Sequence, residues 1–336
     1  MHIKTKPFCL LFLAITATSL FNLTNPTLGS SLNLTITPSK NQYYIGENVL
    51  LMGTLTLNQQ PVQDALVALQ IDNPKGEALT FRTLNTGVDP NQTFTAEILE
   101  VYPCDSSGTP KYYFQPGQYA GFKVIAKNNM AGSIHVIITI SLYYSNAVPF
   151  DTFILFNGTI EGQKTKSVMT WPRPIPEYAV SGNATIYANL YTDIPRNNGY
   201  ALGPEKSNSF IISTSSTPSP SSSTGNGNFN LTYPLKSLKW YIGNYTVHGF
   251  VFYYPNIAST QANFHVDLLG DLHRDGKIDM RDIAIVAKAF NTQPGDPNWN
   301  PDADLTGPEG VPDGKVDMRD VAVVAKAFGT EAILDP

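Results

Sequence analysis

The chain has 336 residues, only 15% of them charged, and Asp and Glu outnumber Lys and Arg by 27 to 22. This length suits two or three domains. The acidic excess lies after Gly270, and no part of the sequence forms the basic patch that phosphate groups require, so nucleic acid is excluded as a partner. Abundant aromatic and β-branched residues between Gly and Pro punctuation predict a mainly β fold.

The first 30 residues predict a secretory signal peptide. A basic start is followed by an apolar run from Phe8 to Leu20, shorter than the ~20 residues that a membrane helix needs. We expect cleavage between Ser19 and Ser31, with retention as an N-terminal anchor as the alternative. No later run is long and apolar enough to span a membrane, so the sequence predicts an exported protein, secreted or at the cell surface.

After the signal, apolar and polar residues alternate in short runs that predict strands in three groups. Four strands come first, at Leu32–Thr37, Asn48–Leu57, Ala65–Ile71 and Leu79–Leu84. Seven follow, at Thr93–Tyr102, Tyr119–Lys127, Ser133–Tyr144, Thr152–Phe156, Ser167–Trp171, Ala184–Thr192 and Asn208–Ser213. Three more follow a Ser/Thr/Pro-rich stretch, at Phe229–Tyr233, Gly243–Tyr254 and Thr260–Val266.

The first four strands and the last three cannot each close a sandwich, since each group would leave one apolar face open. Together they number seven, which is the strand number of an immunoglobulin-like sandwich. We therefore predict an outer immunoglobulin-like sandwich split between residues 31–88 and 226–267, a second one inserted at 89–213, and a linker at 214–225. Two consecutive sandwiches with a boundary near residue 150 are the alternative.

Three segments of the predicted outer sandwich carry motifs of a known kind. They read Y-x-x-G-E-x-V from Tyr43, P-V-x-x-A-x-V from Pro61 and G-x-Y-x-V from Gly243. These segments resemble macroglobulin-type or bacterial immunoglobulin-like modules. The resemblance implies a β-sandwich fold and gives no indication of a ligand.

Near its C-terminus the chain repeats a segment of 17 residues. Gly276–Thr292 reads GKIDMRDIAIVAKAFNT and Gly314–Thr330 reads GKVDMRDVAVVAKAFGT, with 13 identical positions. Each copy follows a run of acidic residues and leads into an apolar helix pattern, which is the sequence form of a calcium-binding loop and helix. Acids of an ordinary solvated loop would not keep this register twice.

The first loop supplies oxygen at the positions that an EF-type loop uses. The candidate ligands at positions 1, 3, 5, 7, 9 and 12 are Asp271, His273, Asp275, the carbonyl of Lys277, Asp279 and Asp282. Gly276 provides the sharp turn at position 6. His273 is the misfit, since an imidazole nitrogen is a poor ligand for a hard cation, and water or another carbonyl can take its place.

The second loop has the same pattern with five extra residues. Its candidate ligands are Asp304, Thr306, Asp313, the carbonyl of Lys315, Asp317 and Asp320. The insert lies within Gly307–Pro312, and Glu309 can replace or supplement a ligand. Position 12 is Asp in both loops, which reaches less far than Glu. We therefore expect two Ca²⁺ sites of different affinity.

The spacing predicts that each helix buries four residues against a small core. These are Ile283, Val286, Ala287 and Phe290 in the first copy and Val321, Val324, Ala325 and Phe328 in the second. Ile278 and Val316 are expected to meet across a short β-bridge. Because Cys104 stands alone after signal removal, no disulfide is available, and we predict that metal binding supplies much of the folding free energy of residues 268–332.

The run from Leu269 to Thr330 resembles a type I dockerin, and Trp299-Asn300-Pro301 is similar to variants in exported archaeal surface proteins. The resemblance implies a small α-helical module with two calcium-binding loop–helix repeats that docks on a cohesin-like protein. It also implies that loop positions 10 and 11 take part in partner choice, and these are Met280, Arg281, Met318 and Arg319. Cellulosomal members often carry Ser or Thr there, so we expect another sort of partner, bound in either of two near-equivalent orientations.

The sequence between residues 31 and 266 shows no catalytic motif, and Cys104 has no base partner in it. We therefore expect that the chain is not an enzyme. It is predicted to be a modular protein whose sandwiches act as spacer or adhesion units. The alternative is a carbohydrate-binding protein that stacks polysaccharide on exposed aromatic residues, for which the candidates are Trp171, Trp240, Tyr241, Tyr253 and Tyr254.

Overall fold

The computed structural model describes residues 31–87, 92–212, 227–235, 241–307 and 312–332. The predicted signal peptide and the predicted linker lie outside these residues. The described residues form mostly β-strands, with two α-helices near the C-terminus, so the predicted mainly β fold class is confirmed. Within these ranges, no helix is long and apolar enough to cross a bilayer.

Six strands at the start of the described chain are shared between two sheets. They are β1 (Leu32–Pro38), β2 (Gln42–Tyr44), β3 (Asn48–Leu57), β4 (Gln60–Pro61), β5 (Leu66–Asp72) and β6 (Ala78–Asn85). β1, β3 and β4 belong to one sheet, and β2, β5 and β6 belong to the other. In β3, Val49, Leu51 and Leu55 are buried and the residues between them alternate outward, which is the period that a sandwich requires.

Nine further strands form the inserted sandwich. They are β7 (Ala96–Cys104), β8 (Tyr113–Phe114), β9 (Tyr119–Asn128), β10 (Ile134–Tyr143), β11 (Pro149–Ile160), β12 (Thr165–Met169), β13 (Arg173–Pro174), β14 (Gly182–Tyr191) and β15 (Lys206–Ile212). One sheet has the order β11-β10-β14-β15-β8, and in the other β7, β12 and β13 all pair with β9. The two sheets bury an aliphatic and aromatic core between them that includes Phe122, Ile140 and Phe210.

The last three strands return to the first two sheets. They are β16 (Asn228–Pro234), β17 (Gly243–Tyr253) and β18 (Asn256–Asp267). β16 pairs with β3, β17 pairs with β5, and β18 pairs with β17 and, in parallel, with β2. Strands from both sides of the inserted sandwich therefore share one core, in which Leu51, Val67 and Val247 are buried. The residue boundaries given above for the domains stay predictions.

Four short strands escaped the sequence prediction, namely β2, β4, β8 and β13. Each has two or three residues, which is too few to show a period of two. With them, each sandwich has nine strands among the described residues instead of the expected seven. Trp171, which was expected in a strand, lies between β12 and β13.

A largely buried ion pair joins the two sandwiches. Arg82 on β6 donates from Nε and Nη2 to the carboxylate of Glu205, with two of these bonds at 2.9 Å. Its guanidinium lies 3.9 Å from the ring centroid of Tyr187, and Phe81 and Tyr191 pack in a small core between the sandwiches. Separation of the sandwiches would leave both charges without a partner, so the pair fixes one sandwich against the other.

β18 leads directly into the C-terminal module, which contains α1 (Met280–Ala289) and α2 (Met318–Lys326). The module has a small core of its own, made of Leu268, Ile278, Val286, Ala289, Ala303, Val316 and Val324. Ile45 and Ile242 of the outer sandwich pack against this core. The module therefore packs directly on the outer sandwich.

Candidate metal centre and docking surface

Each helix of the module begins at the last two carboxylates of the loop before it. Asp279 Oδ1 accepts the backbone N–H of Arg281 at 2.7 Å, and Asp282 Oδ2 accepts the N–H of Asp279 at 2.8 Å. This reciprocal arrangement is a capping box, and Asp317 and Asp320 form the same one at the start of α2. The tetrapeptide D-M-R-D therefore closes the loop and starts the helix.

Asp271, at position 1, holds the turn of the first loop. Its Oδ1 and Oδ2 accept the N–H groups of Asp275 and Gly276 at 3.2 and 2.7 Å. Gly276 has φ 78°, a left-handed conformation that costs glycine nothing because it has no Cβ. Burial and the nearby charge of Asp282 raise the pKa of the Asp271 carboxyl. The loop thus brings carboxylates from its two ends close together.

The second loop repeats these hydrogen bonds despite its five extra residues. Asp304 accepts the N–H groups of Asp313 and Gly314 at 3.2 and 2.8 Å. Gly314 has φ 80°, close to that of the glycine in the first loop. The insert therefore leaves the turn at positions 1, 5 and 6 intact. Glu309 lies outside the described residues, so its role as a ligand stays a prediction.

Asp282 and Asp320, at position 12, are completely buried carboxylates. Asp282 Oδ1 accepts the N–H of His273 at 2.8 Å, and Asp320 Oδ1 accepts the N–H of Thr306 at 2.9 Å. Among the described residues, the arginines of the module pair with other carboxylates. A buried carboxylate without a cationic partner is costly. These two residues therefore fit a site that a cation completes.

In the first loop, an arginine binds the carboxylates at positions 5 and 9. Arg281 Nη2 lies 2.5 Å from Asp275 Oδ2 and 2.7 Å from Asp279 Oδ2. Hydrogen bonds from the side chain and backbone of Arg281 lower the pKa of Asp279 to about 2. Asp279 is therefore ionised at any physiological pH and contributes a negative charge at position 9 of the loop.

The second loop has the same arginine contact. Arg319 Nη2 lies 2.8 Å from Asp313 Oδ2 and 2.5 Å from Asp317 Oδ2, and its hydrogen bonds lower the pKa of Asp317 to about 2. In the part of the chain that the structure describes, no three acidic, His or Cys side chains converge closely enough to hold a metal ion as they stand. Two carboxylates of each loop are instead turned to an arginine.

In the first loop, the residues at positions 3 and 7 both contact the carboxylate at position 5. His273 Nδ1 is 3.5 Å from Asp275 Oδ2, so the imidazole lies beside a carboxylate. The N–H groups of Lys277 and Lys315 donate to the Oδ1 atoms of Asp275 and Asp313, each at 3.2 Å. The loops therefore offer four carboxylates each, the oxygen donors that Ca²⁺ prefers, and His273 remains the misfit. The individual ligand assignments stay predictions.

The expected bridge between Ile278 and Val316 is replaced by two crossed bridges. Ile278 exchanges hydrogen bonds with Gly329 and Thr330, which follow α2, at 2.8 and 2.9 Å. Val316 makes the equivalent bonds to Asn291 and Thr292, which follow α1, at 2.7 and 3.0 Å. Each loop is therefore hydrogen-bonded to the segment that follows the helix of the other repeat, so backbone bonds connect the two repeats.

The predicted buried face of the helices is wrong in part. Val286 and Val324 are buried as expected, but Ala287 and Ala325 are exposed. Phe290 and Phe328 are 43% and 52% exposed. Because α1 ends at Ala289 and α2 at Lys326, both Phe residues lie beyond the helix, where the helical period no longer applies. The buried face of α1 is instead Asp282, Val286 and Ala289.

The predicted partner-binding residues lie on an exposed surface. Met280 and Met318, the first residues of the two helices, are 67% and 66% exposed. We use the term docking surface for this pair together with the equivalent residues of each repeat, namely Arg281, Arg319, Phe290 and Phe328. The sequence analysis missed the two Phe residues. The residue types that follow them indicate that each Phe lies at a helix end. Asn291 and Gly329 adopt a positive φ, which Asn and Gly favour where a helix stops.

Outside the module, two of the candidate aromatic residues are exposed. Trp171 is 91% exposed and Tyr254 is also largely exposed, whereas Tyr241 and Tyr253 are half-buried. Trp240 lies outside the described residues. Cys104 is a buried free thiol, and burial raises its pKa. A thiol in that state is a poor nucleophile.

A comparison with known protein families identifies the type of the C-terminal module. A family model for the dockerin type I domain matches residues 269–329. The C-terminal module is therefore a type I dockerin-like module, as the resemblance of its residues indicated. Domains of this type bind calcium, dock to cohesin-type protein partners and are typically extracellular or on the cell surface. The match does not extend to the sandwiches.

Similar solved structures match parts of this chain only loosely. The alkylpurine DNA glycosylase AlkC of Pseudomonas fluorescens, bound to DNA with an abasic site analog, is 8% identical with a TM-score of 0.28 over 36% of this chain and 31% of that chain. The C-terminal domain of wzt is 14% identical with a TM-score of 0.30, and the match covers 40% of this chain and 85% of that chain. The CARDB domain of PF1109 from Pyrococcus furiosus, in complex with di-metal ions, is 17% identical with a TM-score of 0.23, and the match covers 38% of this chain and 98% of that chain.

This chain spans about a third of the glycosylase it matches. A search of curated proteins found no match to this chain.

Proposed function

We propose that this chain is an exported, non-catalytic modular protein that docks on a cohesin-like or other surface partner through its calcium-loaded C-terminal module. The two sandwiches act as spacer or adhesion units. The observation that carries the proposal is the pair of loops with matching hydrogen bonds around completely buried carboxylates, each next to an exposed Met-Arg pair.

Two Ca²⁺ ions would be held by the two loops, one in each. The first would be bound by Asp271, Asp275, Asp279, Asp282 and the carbonyl of Lys277, and the second by Asp304, Asp313, Asp317, Asp320 and the carbonyl of Lys315. Bound calcium neutralises the carboxylates and ties the loop to the first turn of its helix. Because Ile278 and Val316 bridge to the opposite repeat, order in one loop supports the other.

The docking surface is presented twice. Each repeat offers an exposed Met at the start of the helix and an exposed Phe after its end. Exposed Met and aromatic residues are typical of surfaces that bury apolar area against a partner. The close equivalence of the two repeats supports docking in either of two orientations.

A non-catalytic role is supported by the state of the polar groups in the sandwiches. Asp72, Asp151 and Glu205 are each engaged by an arginine, at 3.1, 2.5 and 2.9 Å respectively. Carboxylates held in this way serve the fold and are not free for acid–base work. The buried Cys104 thiol fits the same interpretation.

A capture experiment with the full chain tests the docking proposal. The immobilised chain is incubated with a cell-surface extract in calcium or in chelator, and the Met280→Ala, Met318→Ala double variant serves as the matched control. We expect a protein that is retained in calcium, released by chelator and lost in the double variant. Retention that is the same in all three conditions would contradict docking through this module.

A carbohydrate-binding role for the sandwiches is the second candidate, and the exposure of Trp171 favours it. An exposed indole offers an apolar face on which a sugar ring can stack. Affinity electrophoresis through gels that contain polysaccharides tests this role. Retardation that is lost in Trp171→Ala supports it, and mobility unchanged by every glycan excludes it.

A further inference from the structure

The arginine at position 11 of each loop has the same unusual arrangement. Arg281 bridges Asp275 and Asp279, and Arg319 bridges the equivalent carboxylates of the second loop. In the first loop, Nε and Nη2 together donate three hydrogen bonds to Asp279 at 2.7–3.2 Å. The contact recurs although the second loop is five residues longer, so it belongs to the D-x-x-x-D-M-R-D unit and not to the loop as a whole.

The guanidinium groups take oxygen atoms that a cation would need. Asp275 has one oxygen on the N–H of Lys277 at 3.2 Å and the other on Arg281 at 2.5 Å. A divalent ion bound at this carboxylate would face the positive guanidinium at a few ångströms, and such like charges repel. The arginine and calcium therefore compete for the same carboxylate.

We propose that Arg281 and Arg319 are resident counter-cations of the two loops. When Ca²⁺ binds, it displaces Arg281 from Asp275 and Asp279, and Arg319 from Asp313 and Asp317. This inference rests on the calcium binding described under the proposed function. Without the metal, each arginine offsets the repulsion between loop carboxylates. With the metal, each guanidinium is released next to an exposed methionine.

The exchange gives the docking surface two states. In the metal-free state, the positive charge of each Met-Arg pair is neutralised inside its own loop. In the metal-bound state, the pair presents an apolar side chain and a free guanidinium. The N–H groups of a guanidinium can bind both oxygens of a carboxylate at once. The partner that fits this state has an apolar patch with acidic residues beside it.

Calorimetric titration of the full chain with CaCl₂ tests the exchange. We compare the wild type with Arg281→Gln and Arg319→Gln, each of which removes one counter-cation. Arg274→Gln is the matched control, because Arg274 pairs with Asp302, which is not a loop ligand. Each Gln variant is expected to bind calcium about three- to tenfold more tightly at its own loop, the range that loss of one or two exposed ion pairs from the competing state implies.

The outcomes separate this inference from the proposed function. A wild-type chain that binds no calcium overturns both. A wild-type chain that binds calcium while the Gln variants bind it equally or more weakly overturns the exchange and leaves calcium-dependent docking intact. An equal gain in affinity for Arg274→Gln reduces the effect to net charge and also overturns the exchange.

A second measurement needs no variant and covers the case in which a Gln variant does not fold. NMR of the ¹⁵N-arginine-labelled wild type reports the exchange of arginine Nε–H protons with solvent. We expect the Nε–H signals of Arg281 and Arg319 to be protected in chelator and to lose protection when CaCl₂ is added, whereas that of Arg82, which donates to Glu205, stays protected in both conditions. Signals from Arg281 and Arg319 that stay protected in calcium contradict displacement.

Discussion

The outer sandwich and the C-terminal module reach stability by different means. The outer sandwich buries large side chains such as Tyr43, Leu55 and Phe264 between two sheets. Among its described residues, the module has only seven buried apolar residues, two of them alanines, together with two completely buried carboxylates. Apolar burial stabilises the sandwich without a ligand, whereas the module is expected to need a cation to offset its buried charge. We therefore expect the fold of the module, and not that of the sandwich, to depend on metal.

The largest effect on the sandwich side is expected from Arg82→Ala. This change leaves the largely buried carboxylate of Glu205 without its arginine, and breaking a buried pair typically costs about 3–5 kcal/mol. Chemical denaturation in the presence and absence of calcium measures the free energy of unfolding. Arg173→Ala is the control, because its pair with Asp151 is more exposed and is expected to contribute about 1 kcal/mol or less. Equal effects of the two changes would contradict the role given to the buried pair.

Leu55→Ala tests the apolar core of the outer sandwich. Leu55 is fully buried in this core, and truncation is expected to cost about 2–5 kcal/mol through lost burial and a cavity. The same denaturation measurement should give the same loss with calcium and with chelator. A loss that appears only in chelator would show that the sandwich also depends on the metal, and the contrast between the two regions would fail.

Asp282→Ala tests the module side of the comparison. Removal of this carboxylate is expected to abolish calcium stabilisation at the first loop, which amounts to about 2.7 kcal/mol at a free calcium concentration one hundred times Kd. The unfolding of the module is followed by circular dichroism at 222 nm, where its two helices contribute. Asp302→Ala, an acid outside the proposed ligand sets, should leave the calcium effect unchanged.

The smallest effect on stability is expected from Met280→Ala combined with Met318→Ala. Both side chains are about two-thirds exposed, so the free energy of unfolding should change by about 0.5 kcal/mol or less. Partner capture should nevertheless be lost, because exposed side chains at the centre of an interface contribute to binding and not to the fold. A large drop in melting temperature would show that these residues are structural.

The sequence predicted strands well where their side chains alternate. β3, for example, has the predicted bounds, since Val49, Leu51 and Leu55 repeat with a period of two. β2 and β4 carry too few residues for any period, and their pairing depends on neighbours far along the chain, such as β18 for β2. Local patterns therefore predict strands that bury a face and miss those that only complete an edge.

The loops of the module were predicted by spacing, and the contacts of their side chains were not. The loop pattern singles out Asp271 and Asp282, and both carboxylates accept backbone N–H groups of the loop. The pairing of Arg281 with Asp275 and Asp279 depends on which oxygen atoms face outward, which residue types do not reveal. Phe290 was assigned to the core because the helical period was continued past the end of α1.

Hydrogen–deuterium exchange of the full chain in calcium and in chelator tests the central claim most directly. The exchange of backbone amides is measured separately for α1 and α2 and for the long strands of the outer sandwich. We predict that chelator strongly accelerates exchange in both helices and leaves β3, β5 and β17 protected. Equal protection of the helices in both conditions, or loss of protection across the sandwich as well, would contradict a metal-dependent docking module on a metal-independent sandwich.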